Sequence, residues 1–231
     1  MPAQSAQGAK VVSAANGESA SVLLVLGTAL LGVILSPVAE VLIAKLLPRL
    51  GDVPRLPVRT STAALTGSAC VAFALHFGNS FSLPPFLFLA VFSVQLARLD
   101  VALHLLPNPL VLILLAGGFF LFLWPGLIDK QYDDLVRSVL GALILFAGYL
   151  ILALISPGGI GMGDVKLAAP VGLYLGYLGW TQLLYGGLLG FILNGLVTVL
   201  VVSRKGRNKA TEVPHGPSML GALAAVTFFF T

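Results

Sequence analysis

Two aspartates in this 231-residue chain stand where acids are rare. Asp100 closes the apolar run "FLFLAVFSVQLARLD", and Asp164 opens "MGDVKLAAPVGLYLG". An ionisable side chain near hydrocarbon costs ~2.5–3.5 kcal/mol at a helix centre on insertion scales, so each acid is a functional hypothesis by default. Two carboxylates brought close together cannot both ionise cheaply, and one proton tends to be shared between them. Such a pair can work on water: one carboxylate takes its proton while the other, still protonated, hydrogen-bonds the carbonyl under attack. The start of a helix favours an ionised Asp164 by ~0.3–1 kcal/mol, which makes Asp164 the better candidate for the base.

The stretch before Asp164, "SPGGIGMGDVKLAAP", is dense in small residues: Gly158, Gly159, Gly161 and Gly163. Glycine adopts backbone angles closed to other residues and lets another chain come close. An extended peptide lying beside the acids needs such a neighbour. A plain helix-breaking linker between two spans would use the same residues. A phosphate-binding loop is a poor reading, because Asp-Val-Lys follows rather than Gly-Lys-Ser/Thr and no strand precedes it.

The elements that must carry these acids are helices in a membrane. Hydrophobic residues make up 58% of the chain and charged ones 10%, against about 25% charged in soluble domains. Mean hydropathy is +1.00. Eight apolar segments approach the ~20 residues needed to span a bilayer as helix: roughly 22–46, 61–79, 82–99, 108–125, 136–155, 165–179, 182–203 and 214–231. Their continuous Leu/Ala-rich runs indicate helices rather than the alternating strands of a barrel. The expectation is an all-α polytopic bundle of about eight helices (six to eight), with a disordered polar tail over 1–20 and one membrane domain over 21–231.

Charge gives the orientation. With loops assigned alternately to two sides, Lys45, Arg49, Arg55, Arg59, Arg98, Lys166, Arg204, Lys205, Arg207 and Lys209 fall on one side, and Lys10, Lys130 and Arg137 on the other. By the positive-inside rule the first group is cytoplasmic and both termini lie outside. Asp100 and Asp164, 64 positions apart, then share the cytoplasmic face. The net charge of +4 follows from these loops and does not read as a nucleic-acid patch. The single cysteine, Cys70, builds neither a disulfide nor a metal cluster and reads as a packing residue. No metal or cofactor is expected.

Three ordered stretches resemble one family. "GGIGMGDVKL" resembles the motif of the type IV prepilin peptidases, a branch of the GxGD intramembrane aspartic proteases. "DVALHLLPN", Asp100 to Asn108, matches the family's D-x5-[IL]-P-N pattern, and "VPHGPSMLGAL", Val213 to Leu223, resembles its Pro-Phe-Gly-Pro stretch. The resemblance runs from about 90 to 231. It implies that Asp100 and Asp164 are the catalytic pair, and that Gly161, Gly163, Lys166, Pro107, Asn108, Gly216 and Pro217 shape the site. It also implies a leader peptidase of the inner, cytoplasmic membrane with its site facing the cytoplasm. The partners it implies are prepilin or pseudopilin substrates with a basic leader, beside membrane lipid. Two departures stand out. The loop "PRLGDVPRLPVRTS" lacks the cysteine-bearing methylation segment of the long family form, and His215 stands where the family has Phe.

Other polar residues have blander readings. Lys166, two positions after Asp164, points to a different side of the helix and serves as an interface anchor or in charge tuning. His104 comes within reach of Asp100 if that helix continues, and otherwise is a spectator. Glu40 snorkels toward headgroups, and the basic run Arg204–Lys209 enforces topology and touches anionic lipid. Outside proteolysis, the alternatives are an ion- or proton-coupled transporter, which would favour mid-membrane acids in repeated halves, and a degenerate pilin-binding paralogue that does not cut.

Overall fold

The computed structural model describes residues 2–130, 132–156, 159–205 and 213–231, with the side chains of 2–20 and 205 left aside. Among them are eight α-helices and no strand: α1 (Pro2–Leu46), α2 (Leu56–Phe77), α3 (Leu83–Leu103), α4 (Asn108–Ile128), α5 (Tyr132–Ile155), α6 (Met162–Leu178), α7 (Trp180–Lys205) and α8 (Gly216–Phe229). The bundle is all-helical, as the apolar runs require. Six helices are long and apolar enough to cross a membrane. The other two, α6 with 17 residues and α8 with 14, reach only about 26 and 21 Å at 1.5 Å per residue, short of the ~30 Å hydrocarbon core. Helix α1 begins at Pro2, in the stretch read from sequence as a polar tail, and its membrane-length apolar portion is Ser21–Leu46. Alanine and glutamine there are good helix formers that extend a helix already nucleated.

The chain divides into two compact units, Met1–Val91 and Phe92–Thr231, and α3 runs from one into the other. In the first unit α1 and α2 touch through small residues. A Cβ on Gly32 would lie 2.9 Å from Cys70 Sγ and from the Gly67 Cα, so the backbones meet as in small-residue membrane packings. Cys70 is buried, as its packing role requires. Glu40 departs from the snorkelling expectation: it is 1% exposed. Its carboxylate accepts hydrogen bonds from Thr62 Oγ1 and, at 3.3 Å, from Arg59 Nε. A partnered carboxylate escapes the cost of bare burial, so the side chain has no need to reach for headgroups. Phe77 stacks on Phe86 at 4.3 Å, closing the α2–α3 turn.

The second unit is built around α6, which packs against α4, α5, α7 and α8. Its residues Val165, Leu167, Ala168 and Pro170–Tyr177 are buried. Helices α5 and α6 approach backbone to backbone: a Cβ on Gly141 would lie 2.5 Å from the Gly172 carbonyl and 2.9 Å from the Gly176 Cα. Arg137 seals the far end of α6, donating from Nε to the Gly176 carbonyl and from Nη2 to the Tyr177 carbonyl, both at 2.6 Å. A cation on those carbonyls complements the helix C-terminus. Gly179, at φ +154°, is the one residue between α6 and α7; few other residues take that angle cheaply. The near end of α6 is where Asp164 sits.

Candidate active site

Asp100 lies in the last turn of α3 and is 6% exposed. The helix ends because His104 adopts φ +51°, with its N–H still bonded to the Asp100 carbonyl at 2.8 Å. The helix therefore stops at Leu103, and His104, just beyond it, lines the same cavity as Asp100. The Asp100 carboxylate accepts the Gly216 N–H at 3.0 Å. That N–H is one of the first-turn donors of α8 that no helix carbonyl can satisfy.

Asp164 is the third residue of α6, with Gly161 as N-cap. The Gly161 N–H lies beside the Asp164 carboxyl and favours its charged form, at the positions a capping box would join. Burial, then the neighbouring Asp100 carboxylate, push Asp164 up to about 6, against the pull of the Gly161 N–H. The two acids face one cavity of about 420 Å³. Its walls are the end of α3, residues 159–161, the segment 213–215, and Phe191 and Asn194 of α7.

The remaining positions singled out from sequence gather around this cavity. Pro107 is the N-cap of α4. Asn108, the next residue, accepts a hydrogen bond from Lys166 Nζ at 2.9 Å. Lys166 thus turns away from Asp164, as their spacing requires, and ties the segment after Asp100 to the helix of Asp164. Pro217 sits in the first turn of α8, where its missing N–H costs nothing.

The glycines differ from expectation. Among the described glycines only Gly51, Gly78 and Gly179 have positive φ, so Gly159, Gly161 and Gly163 are not there for unusual angles. They are there for room. A Cβ on Gly163 would lie 3.2 Å from Leu106 Cβ, on Gly161 3.3 Å from Asp164 Oδ2, and on Gly216 2.7 Å from Asp100 Oδ2. Gly158 lies outside the described residues.

Two contributors escaped the sequence reading. Tyr149 of α5 is buried, and its hydroxyl lies 3.0 Å from His215 Nε2. Asn194 of α7 lines the cavity with a buried Oδ1 that has no hydrogen-bond partner. An ionisable group in an apolar run stands out in a sequence, whereas a neutral amide or phenol there passes unnoticed. Burial pushes the His215 imidazole down, which keeps it neutral near pH 7. Among the described residues no three His, Cys, Asp or Glu side chains gather as metal ligands would.

The model of the family described as "Type IV leader peptidase family" matches residues 87–202, half of the chain, including both acids. This chain belongs to the type IV leader peptidase family. Proteins named prepilin leader peptidase/N-methyltransferase are similar to it. That of Xanthomonas campestris pv. campestris is 29% identical over 171 residues, 72% of this chain and 56% of the relative. That of Burkholderia pseudomallei (strain K96243) is 32% identical over 147 residues, 60% of this chain and 44% of the relative. That of Bacillus subtilis is 32% identical over 117 residues, 49% of this chain and 45% of the relative. The chain spans about half the length of these relatives. No solved structure gives a significant match. Six membrane-length helices and a type IV leader peptidase match mark an integral membrane protein.

Proposed function

We propose that this chain is a membrane aspartic endopeptidase that removes the leader from prepilins or pseudopilins at the cytoplasmic face of the inner membrane. The observation that carries the reading is the shared cavity of Asp100 and Asp164, each acid at a helix end, with the Gly216 N–H on Asp100. On this reading the cavity meets water at the edge of the bilayer, as hydrolysis requires. The apolar helix of a pilin would lie in the bilayer and bring its first peptide bonds to this rim.

The helix end favours Asp164 as the base, whereas its surroundings in the cavity favour the other division of roles. A helix N-terminus contributes ~0.3–1 kcal/mol, and one pH unit of displacement corresponds to ~1.4 kcal/mol. Burial and the neighbouring carboxylate, which together carry Asp164 to about 6, outweigh it. On this reading Asp164 holds the shared proton and offers it to the scissile carbonyl oxygen. Asp100, with the Gly216 N–H on Oδ2, carries the charge and takes a proton from water. The hydroxide oxygen bonds to the carbonyl carbon, and the C–N bond then breaks with the proton on Asp100 passing to the leaving amine.

The test is leader cleavage in membranes with a prepilin bearing a basic leader. The intact chain is expected to cut, and Asp100→Asn and Asp164→Asn each to lose at least ~10²-fold while remaining folded, the scale of lost acid–base catalysis. Normal cutting by both variants would remove the two-aspartate mechanism.

A further inference from the structure

The Gly216 N–H reaches Asp100 only if the turn 213–216 is held in place, and the holding group lies on another helix. His215 is the N-cap residue of α8, and its carbonyl accepts the N–H groups of Ser218 and Met219, both at 3.1 Å. Its backbone thus starts the helix, and the next residue supplies the N–H to Asp100 at 3.0 Å. Its ring reaches away to α5, where Nε2 meets the Tyr149 hydroxyl at 3.0 Å. The ring is wedged between aromatic neighbours, 5.3 Å from Phe191 and 5.7 Å from Tyr149 between centroids. The other ring nitrogen, Nδ1, is buried with no partner. The Tyr149 hydroxyl is therefore the one hydrogen bond that fixes this imidazole. A buried polar group that loses its last partner is costly, whereas a pair replaced together by apolar groups of similar shape is nearly neutral.

We propose that Tyr149 and His215 are a positioning pair: the Tyr149 hydroxyl, through the His215 ring, holds the turn that aims the Gly216 N–H at Asp100. This rests on the peptidase reading above and adds to it a buried residue of α5 and a residue of the cavity wall, neither with a part in the proton transfers. It predicts coupling. Tyr149→Phe strips the imidazole of its partner and loosens the turn. His215→Phe strands the hydroxyl in the same way. The double substitution replaces a polar pair with an apolar aromatic pair and restores the hold.

The experiment compares the intact chain, both single variants and the double variant in a cleavage assay run across pH, with thermal melts to confirm folding. Each single variant is expected to lower kcat on the order of tenfold with little change in KM. The double variant is expected to recover to within a few-fold of the intact chain, a coupling typical of residues in contact. The singles should also move the acid limb of the pH profile toward neutral, because an N–H bonded to a carboxylate favours its ionised form. His104 and Asp164, which share the cavity with Asp100, are unchanged in all four chains, and Tyr149→Phe also keeps His215, the third titratable group there. Multiplicative losses, or an unmoved acid limb, would overturn the proposal. Carbodiimide labelling of Asp100 against pH, read by mass spectrometry, keeps the test independent of proteolysis. If the intact chain cuts no prepilin, the peptidase reading fails. A labelling curve that shifts in each single variant and returns in the double would still support the positioning pair, and four identical curves would end it.

Discussion

At the scale of single residues, the site is a set of backbone donors aimed at two acids, and its behaviour with pH follows. Asp164 sits at about 6 because of burial and the Asp100 carboxylate, above the ~3.9 of a free aspartate. An acid whose native value is raised stabilises the fold below its unfolded value and loses that contribution as pH rises through about 6. Asp164→Asn is therefore expected to melt higher than the intact chain at pH 7.5 and to lose that advantage near pH 4, seen by thermal scans in detergent. Equal melting shifts at both values would count against the raised acid. In Asp100→Asn one of the two upward causes is gone, so carbodiimide labelling should show Asp164 titrating lower. The Lys166–Asn108 contact at 2.9 Å makes a separate prediction. Lys166→Met and Asn108→Leu should each cost about tenfold or less in kcat, in line with the ~1 kcal/mol of a partly exposed hydrogen bond. Their double variant should cost no more than either alone.

At the scale of elements, the position of Asp164 depends on how closely α5 and α6 meet. Gly141 and Gly172 lie where any side chain would strike backbone. Gly141→Leu should lower the melting temperature sharply and abolish cleavage, since overpacking costs ~1–3 kcal/mol or more when no flexible neighbour can yield. Gly148→Leu, on the same helix with nothing within 4 Å, should leave both nearly unchanged. These elements were largely legible in the sequence. Apolar runs gave eight helices, and the two acids fell at helix ends as their runs indicated. Less legible was the purpose of the glycines, because a residue needed for room and one needed for its angle look alike until the neighbour across the gap is known. The shortness of α6 and α8 was legible, since their apolar runs, 165–179 and 214–231, fall below the ~20 residues of a span. Tyr149 and Asn194 were illegible because their significance comes from the helices they face.

At the scale of the molecule, the charge distribution makes a topological prediction. Cys70 is the only cysteine and is buried, so Cys70→Ala gives a background for introduced thiols. On the proposed orientation, Ser80→Cys in the α2–α3 turn should react with a membrane-impermeant maleimide in intact cells. Asp52→Cys, between α1 and α2, should react only after the membrane is opened. The opposite pattern would invert the orientation and put the acids outside. The contact between Gly216 and Asp100 has a consequence for inhibition. The donor there is main chain, so only Gly216→Pro deletes it, and every other substitution brings a Cβ to about 2.7 Å from Asp100 Oδ2. An inhibitor shaped to this corner would touch a main-chain donor and the acid it serves, so a resistance substitution at position 216 would also disturb Asp100.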